Sequence, residues 1–171
     1  MWDEELAYYL GWLVGDGSFS ERGAVTIYGS EREMEELLPL HRTLLAGWAG
    51  FVPKPSIQAN GTRQLRLMRR SFVDYLEGLG VAKAKAADKV APQAVLQAPE
   101  QCLTAFLRGL FDADGCVVND LRKGTRYVGL GSKSPDLLRT VPSLLLSLGR
   151  TALVAATCFI DVRIGPGQAR S

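Results

Sequence analysis

The sequence has little cysteine and histidine. It contains three cysteines, Cys102, Cys116 and Cys158, and a single histidine among 171 residues, with no CxxC pair. Because structural zinc sites are built from clustered Cys and His ligands, we expect no zinc site. Isolated cysteines usually pack as small hydrophobic residues, so we expect reduced, mostly buried thiols.

Long apolar runs are also lacking. No uninterrupted stretch is long enough to span a bilayer, and the acidic start, MWDEELAYYL, lacks the basic region and cleavage pattern of a signal peptide. We therefore expect a cytoplasmic protein with no membrane partner. The length, 47% hydrophobic residues and 22% charged residues are typical of a globular chain with one domain or a tight pair of small ones.

The net charge is only +2, but the basic residues are unevenly distributed. The stretch 37–111 holds ten Lys or Arg residues against four acids, and arginine outnumbers lysine 14 to 6 in the whole chain. Because the guanidinium group is a planar fork that suits phosphates and guanine edges, a polyanionic partner is one interpretation. A solvated basic surface is the other, and charge alone leaves both open.

An internal repeat with a period near 98 residues divides the chain into two similar halves. LAYYLGWLVGDGSFS (6–20) resembles LTAFLRGLFDADGCVV (103–118), and the segments that follow, 25–47 and 127–149, also correspond. Hydrophobic periodicity predicts helix, two strands, helix and two strands in each half. The predicted helices are 3–15, 31–46, 72–79, 100–113 and 135–148, and the predicted strands lie within 19–30, 52–60, 63–68, 116–131 and 151–164.

Two details of this pattern concern single positions. Pro39 lies within the predicted helix 31–46, where its missing N–H should kink the helix or move its start. In the strand QLRLM, Leu65 and Leu67 should face one side of the sheet, and Gln64 and Arg66 the other.

An Asp-Gly pair follows the first helix of each half, at Asp16 and Asp114. A single Asp-Gly is usually a simple turn. A helix C-terminus, however, carries partial negative charge and disfavours an acid, so its repetition at matching positions indicates a functional role.

Each of the two helices also carries small residues four positions apart, Gly11 and Gly15 in one and Gly109 and Ala113 in the other. Small residues at this spacing share one face and allow two helices to pack closely. Such packing would bring the two aspartates side by side, where their repulsion calls for a proton or a cation. Oxygen ligands favour Mg²⁺ or Ca²⁺ over zinc.

The motif LRGLFDADG (107–115) resembles the LAGLIDADG signature of homing endonucleases, and YLGWLVGDG (9–17) resembles a more divergent copy. The longer segments FLRGLFDADG and GSKSPDLL are similar to endonuclease domains found inside inteins. The resemblance extends over nearly the whole chain.

The resemblance implies an α+β fold: a pseudo-symmetric duplication of an αββαββα unit, with two antiparallel, saddle-shaped sheets that lie in the DNA major groove. The signature helices would form the interface between a first half (1–79) and a second half (100–171), joined by a linker (80–99) that keeps some helix of its own. Val14 replaces the first aspartate of the signature, which Asp112 keeps. In this family that position is mainly structural.

The implied activity is site-specific hydrolysis of double-stranded DNA with Mg²⁺, which Ca²⁺ or Mn²⁺ could replace in binding. Asp16 and Asp114 match the metal-binding acids, one for each DNA strand, and Gly15 and Ala113 match positions whose carbonyls also bind metal. The chain would act as a monomer, associated with the nucleoid. The basic residues expected near the reacting phosphate are Lys133, whose counterpart in the first half is Glu31, together with Arg69 or Arg70, and Arg163.

Polar side chains on the outward faces of the strands are the candidates for DNA contact, since arginine suits guanine and Asn or Gln suits adenine. Because the halves differ at these positions, the target should be long and imperfectly palindromic. The candidates are Ser18, Ser20, Arg22, Thr26, Tyr28, Gln58, Arg63, Arg66, Asn119, Arg122, Arg126 and Arg163.

Two alternatives share the fold. One is a catalytically inactive DNA-binding regulator, and the other is a maturase that binds intron RNA. Retention of both aspartates favours the nuclease over an inactive regulator, whereas the sequence does not separate DNA from RNA.

Overall fold

Helices and antiparallel strands follow each other in the same order in both halves. The computed structural model describes residues 3–120, 122, 125–150, 153–156 and 159–163, with only the backbone for 125, 153–156 and 159–163. The first half contains α1 (Glu4–Asp16), β1 (Gly17–Ser20), β2 (Gly23–Tyr28), α2 (Leu38–Ala49), β3 (Ser56–Ile57), β4 (Arg63–Leu67) and α3 (Arg70–Gly78). A linker with a 3₁₀ turn (Ala86–Asp88) and α4 (Gln93–Leu96) leads to α5 (Glu100–Asp114), β5 (Gly115–Asp120), β6 (Thr125–Gly131), α6 (Pro135–Ser147), β7 (Leu153–Ala156) and β8 (Phe159–Arg163).

Each half forms one antiparallel four-stranded sheet. The strand order is β1-β2-β4-β3 in the first half and β5-β6-β8-β7 in the second, so the two sheets have the same topology. The expected α+β fold is confirmed, as are the helix in the linker and the repeated order of elements.

The contact between α1 and α5 joins the halves. A Cβ added at Gly11 would lie 2.0 Å from the Phe106 carbonyl oxygen, and one at Gly109 would lie 2.1 Å from the Tyr8 carbonyl oxygen. Only glycine allows the two backbones to come this close. The predicted packing of the signature helices through their small residues is therefore confirmed.

The helix around Pro39 contains one irregular turn. A π-helical turn, Glu33–Leu37, precedes α2, in which Pro39 is the second residue. Because proline has no N–H, it cannot bond to the carbonyl four residues earlier, and the widened turn accommodates this loss. Residues 31–32 are already helical, so the start is not moved, and Pro39 is accommodated by the widened turn inside the helix.

The cysteines only partly follow the expectation. Cys102 is buried in α5, as predicted, whereas Cys116 is exposed on β5, and Cys158 lies outside the described residues. The prediction of a packed thiol is therefore wrong for Cys116. No helix in the described part of the chain is long and apolar enough to cross a membrane.

Candidate active site and nucleic-acid interface

The two Asp-Gly motifs meet where α1 and α5 end. Asp16 and Asp114 are the last residues of the two helices. A Cβ added at Gly15 would lie 2.5 Å from the Ala113 Cβ and 3.4 Å from the Asp114 Oδ2. The predicted juxtaposition of the two motifs is thus found in the structure.

Both carboxylates lie where negative charge is disfavoured. Partial burial, and secondarily the charges of Asp114 and Glu33, raise the pKa of Asp16 to about 6. Burial also raises the pKa of Asp114, although the nearby Lys89 ammonium opposes this effect. A cation between the helix ends would stabilise the charged form of both carboxylates.

Lys89, in the linker, already brings a positive charge to this position. Its Nζ donates hydrogen bonds to the carbonyl oxygens of Gly15, at 2.6 Å, and Gly17, at 3.0 Å. Its own carbonyl accepts a hydrogen bond from Ser134 Oγ at 2.5 Å. The sequence predicts residues 80–99 only as a linker and does not identify Lys89 as a site residue; the lysine-rich run KAKAADK is the available signal.

An open cavity lies beside Asp114. Gly15, Lys89, Asp114 and Lys133 are among its lining residues. Lys133 is exposed at its edge, so its predicted position near one aspartate agrees with the structure. Among the described residues, no group of three or more His, Cys, Asp or Glu side chains is suited to a metal. The candidate site instead combines two carboxylates with a backbone carbonyl.

The first half presents an acid where the second presents Lys133. Glu31, the predicted counterpart, is exposed. Glu33 Oε2 accepts hydrogen bonds from the backbone N–H groups of Gly29, at 2.6 Å, and Ser30, at 3.2 Å. Its charge acts on Asp16 and raises the pKa of that carboxyl group. The surroundings of the two aspartates are therefore electrostatically different.

The predicted catalytic arginines are not brought to the aspartates by any contact that the structure describes. Arg69 Nη2 donates to the Ala49 carbonyl oxygen at 2.5 Å, and its guanidinium lies 5.8 Å from the Phe51 ring centroid. Arg70 forms an ion pair with Asp74 at 2.9 Å. Arg163 is in β8 opposite Tyr127, and its side chain lies outside the described residues. Their catalytic roles remain predictions.

Strand register defines the outward face of the first sheet. Val25 is directly opposite Ser18 on one side and Arg66 on the other. Gln64 is opposite both Ile27 and Ser56, and it therefore shares this face. The exposed Ser20 completes the set on β1. The outward positions predicted for Ser18, Ser20 and Arg66 agree with this register.

Thr26 and Tyr28 correct the prediction on β2. Both side chains are fully buried, and their hydroxyl groups are 2.9 Å apart. Tyr28 OH also hydrogen-bonds His41 Nδ1 at 2.7 Å. Successive strand residues alternate between faces, and polarity alone predicts Thr26 and Tyr28 on the outward face, one residue out of phase with the structure. The outward residues are Val25 and Ile27.

A similar shift affects the second sheet. Asn119 and Arg126 are paired with each other, on the same side as the buried Leu130, whereas Cys116 is on the other side. Asn119 and Arg126 are exposed near the hairpin end, but not on the face equivalent to that of Ser18. Their placement on the outward face is therefore corrected. Arg122 is exposed in the turn.

The remaining candidates occupy the margins of the first sheet. Arg22 is exposed in the first hairpin turn. Arg63 is half-buried opposite the core residue Tyr28, on the inner side of the sheet, so its predicted outward position is corrected as well. Gln58 is half-buried, with its Nε2 donating to Ser56 Oγ at 3.1 Å. Gln64 was not among the predicted contacts, although the strand alternation placed it on the same face as Arg66.

Comparison with known proteins gives matches over part or most of the chain. The family model described as a LAGLIDADG-like domain matches residues 101–157. The replicative DNA helicase DnaB of Synechocystis is 30% identical over 89% of this chain and 18% of its own length. The tRNA-splicing ligase RtcB of Pyrococcus abyssi is 33% identical over 95% of this chain and 19% of its own length. The chain thus spans about a fifth of the length of these relatives.

Solved structures show the same fold. The homing endonuclease I-DmoI in complex with DNA and Mn aligns with a TM-score of 0.66 at 17% identity, over 94% of this chain and 89% of its own. I-WcaI bound to its DNA recognition sequence aligns with a TM-score of 0.56 at 12% identity, over 95% and 76%. The N-terminal LAGLIDADG domain of DUF199/WhiA aligns with a TM-score of 0.56 at 14% identity, over 92% and 74%.

Proposed function

We propose that the chain is a site-specific, metal-dependent endonuclease of double-stranded DNA, because it has the LAGLIDADG homing endonuclease fold and its residues 101–157 match the LAGLIDADG-like domain. The observation that supports this most strongly is the meeting of Asp16 and Asp114 at the ends of two closely packed helices. A fold kept only for binding has no need for two carboxylates at an unfavourable position.

The described residues fit a divalent cation at this position. The ammonium of Lys89 is held at the Gly15 carbonyl oxygen, so the space between the helix ends accepts a positive charge. Mg²⁺ prefers oxygen ligands, which are available here from Asp16, Asp114 and the carbonyl of Gly15. We propose the Ala113 carbonyl as a further ligand, because Ala113 occupies the equivalent position in the other helix. Mn²⁺ or Ca²⁺ should bind the same ligands.

The chemistry proposed for the site is phosphodiester hydrolysis. A bound divalent ion supplies a nucleophilic water at neutral pH and stabilises the charge that develops on the phosphate. Lys133, exposed at the edge of the cavity beside Asp114, would add electrostatic stabilisation to a phosphate held there. Because Glu33 is near Asp16 instead, we propose that the two DNA strands are cut at unequal rates.

The outward sheet face is the proposed DNA-reading surface. Arg66 Nη2 donates to Gln64 Oε1 at 2.6 Å, which fixes the orientation of both side chains. An ordered arginine and glutamine suit the edges of guanine and adenine, whereas Val25 and Ile27 suit thymine methyl groups. A single chain carries both aspartates, so a monomer would suffice for a target without perfect two-fold symmetry.

The curated relatives support a mobile, intein-borne module. A helicase, a ligase and a DNA polymerase of Thermococcus hydrothermalis share no activity in their names, yet each contains a segment that aligns with 82–95% of this chain. The aligned segment is only 8–19% of each relative. An endonuclease domain that is carried by inteins is expected to occur within unrelated host proteins in this way.

Lys89 favours one second candidate, a DNA-binding protein without nuclease activity. An ammonium that remained at Gly15 would exclude metal and leave only binding. This candidate differs from the nuclease in a single measurable respect, which is cleavage.

The deciding experiment incubates the protein with a randomised duplex library in Mg²⁺ or Ca²⁺ and sequences both cut and bound DNA. We expect cleavage at one long site with Mg²⁺ and binding without cleavage with Ca²⁺. Asp16→Asn and Asp114→Asn should each abolish double-strand cleavage, whereas Asp88→Asn, an exposed linker aspartate, should not. Specific binding with no cutting would contradict the nuclease, and preference for a folded RNA competitor would favour a maturase.

A further inference from the structure

We propose that Lys89 is the built-in counter-ion of the metal-free site, and that a divalent ion binds by displacing its ammonium from the Gly15 carbonyl oxygen. The inference rests on the metal site of the proposed function but concerns a different step, the entry of the metal. It assigns the linker between the halves a role in controlling the site.

The position of the Lys89 ammonium suits a counter-ion. Its two acceptors, the carbonyls of Gly15 and Gly17, flank Asp16 in the chain. Carbonyls at the end of a helix carry partial negative charge, and the two aspartates add full charges beside them. Asp114 and Asp16 both act electrostatically on Lys89, so one ammonium compensates both halves.

The backbone of Lys89 is fixed independently of its ammonium. Ser134 Oγ donates to the Lys89 carbonyl while also accepting a hydrogen bond from the Leu137 N–H at the start of α6. Ser134 itself is fully buried. Earlier in the linker, Lys83 forms ion pairs with Glu77 and Glu21 of the first half. The flexible lysine side chain can therefore move without release of the linker.

Competition follows from this arrangement. A dication bound to the Gly15 carbonyl and the two aspartates would meet the ammonium at hydrogen-bonding distance from the same oxygen. Two positive charges that close repel each other strongly in a partly desolvated site. Lys89 thus compensates the negative charge of the two aspartates when no metal is bound. Its presence lowers the affinity of the site for a metal ion.

The test measures Mn²⁺ binding in the absence of DNA, from the EPR signal of the free ion. Lys89→Met should bind Mn²⁺ about tenfold more tightly than the wild type, the effect of about 1.4 kcal/mol of competition. Lys85→Met is the matched control, because Lys85 is an exposed lysine of the same linker with no hydrogen bond to Gly15 in the described contacts. It should change the affinity by less than about threefold, since an exposed charge is screened.

Several outcomes would overturn the inference. Equal tightening in both variants would show a general charge effect, and weaker binding in Lys89→Met would show that the lysine supports the metal site. A site that survives in the Asp16→Asn, Asp114→Asn double variant would place the bound Mn²⁺ elsewhere. Absence of DNA cleavage together with the expected affinity difference would instead contradict the proposed nuclease and leave the displacement standing.

A second measurement uses the folded wild-type protein and needs no destabilising change. In ¹⁵N-lysine spectra, a doubly hydrogen-bonded ammonium exchanges slowly and gives a visible signal, which Lys89→Arg should remove and so identify. Saturating Mg²⁺ should shift this signal or broaden it beyond detection. A Lys89 signal that Mg²⁺ leaves unchanged would contradict displacement.

Discussion

Tyr8 donates a hydrogen bond from its phenol to Asp112 Oδ2, at 2.8 Å, across the contact between α1 and α5. The Arg108 guanidinium lies 5.1 Å from the Tyr8 ring centroid on the same side. Asp112 is the first aspartate of the second signature, whereas its counterpart in the first half is the buried Val14. The earlier signature position therefore serves the helix contact, which agrees with the structural role that the resemblance implied.

Tyr8→Phe should lower the free energy of unfolding by about 1 kcal/mol, because it removes a partly buried hydrogen bond to a charged group. Tyr9→Phe is the matched control, since the Tyr9 hydroxyl is buried without a hydrogen-bond partner among the described residues. Its loss should be smaller than about 0.5 kcal/mol. Urea denaturation measures both, and equal losses would contradict a specific contribution of the Tyr8–Asp112 bond.

Gly109→Ala should separate the signature helices. Its Cβ would lie 2.1 Å from the Tyr8 carbonyl oxygen, and because neither backbone can move freely, we expect a loss of about 3 kcal/mol in stability. Gly47→Ala, in α2, has nothing within 4 Å of the added Cβ and should stabilise by roughly 0.5–1 kcal/mol. Thermal unfolding compares the two, and a neutral Gly109→Ala would contradict the close contact of α1 and α5.

Much of this fold could be predicted because its main signals are local. Repeated apolar periodicity located α1 and α5, and the small residues in them predicted their contact. Each of these helices ends in an Asp-Gly motif. If the two helices pack in parallel with their ends level, Asp16 and Asp114 must lie close together, as the sequence predicted.

The errors concern residues whose environment depends on distant segments. Thr26 and Tyr28 are polar, but their hydroxyls are satisfied in the core by contacts that include His41, 13 residues beyond Tyr28. Lys89 lies in a segment without periodicity, and its role depends on contacts 74 residues away at Gly15. Contacts between residues so far apart in the chain cannot be predicted from the local sequence pattern.

The single histidine should remain neutral in the folded protein. Burial lowers the pKa of His41 to about 4, below its ordinary value of 6.5. The stability that depends on neutral His41 is therefore complete above pH 6.5 and is lost as the pH falls toward 4. The His41 C2 proton should not shift between pH 8 and pH 5 in NMR spectra of the folded protein.

The control for this pH dependence is His41→Gln. The difference in unfolding free energy between wild type and variant should shrink as the pH falls below 6.5, by about 1.4 kcal/mol per pH unit at most. Comparison of the two proteins removes the contribution of the aspartates, which titrate in both. A titration midpoint near 6.5 would show that the imidazole reaches solvent in the folded state.

The two sheet faces can be distinguished with a pair of exposed arginines. Arg66 lies on the outward face, opposite Val25, whereas Arg126 lies on the side of Leu130 near the end of the second hairpin. On the duplex selected from the library, Arg66→Ala should weaken binding about tenfold and relax specificity at one base pair. Arg126→Ala removes the same charge and should weaken binding less than about threefold. Fluorescence anisotropy at two salt concentrations measures both, and a larger loss for Arg126→Ala would place the DNA on the other face, contrary to the register.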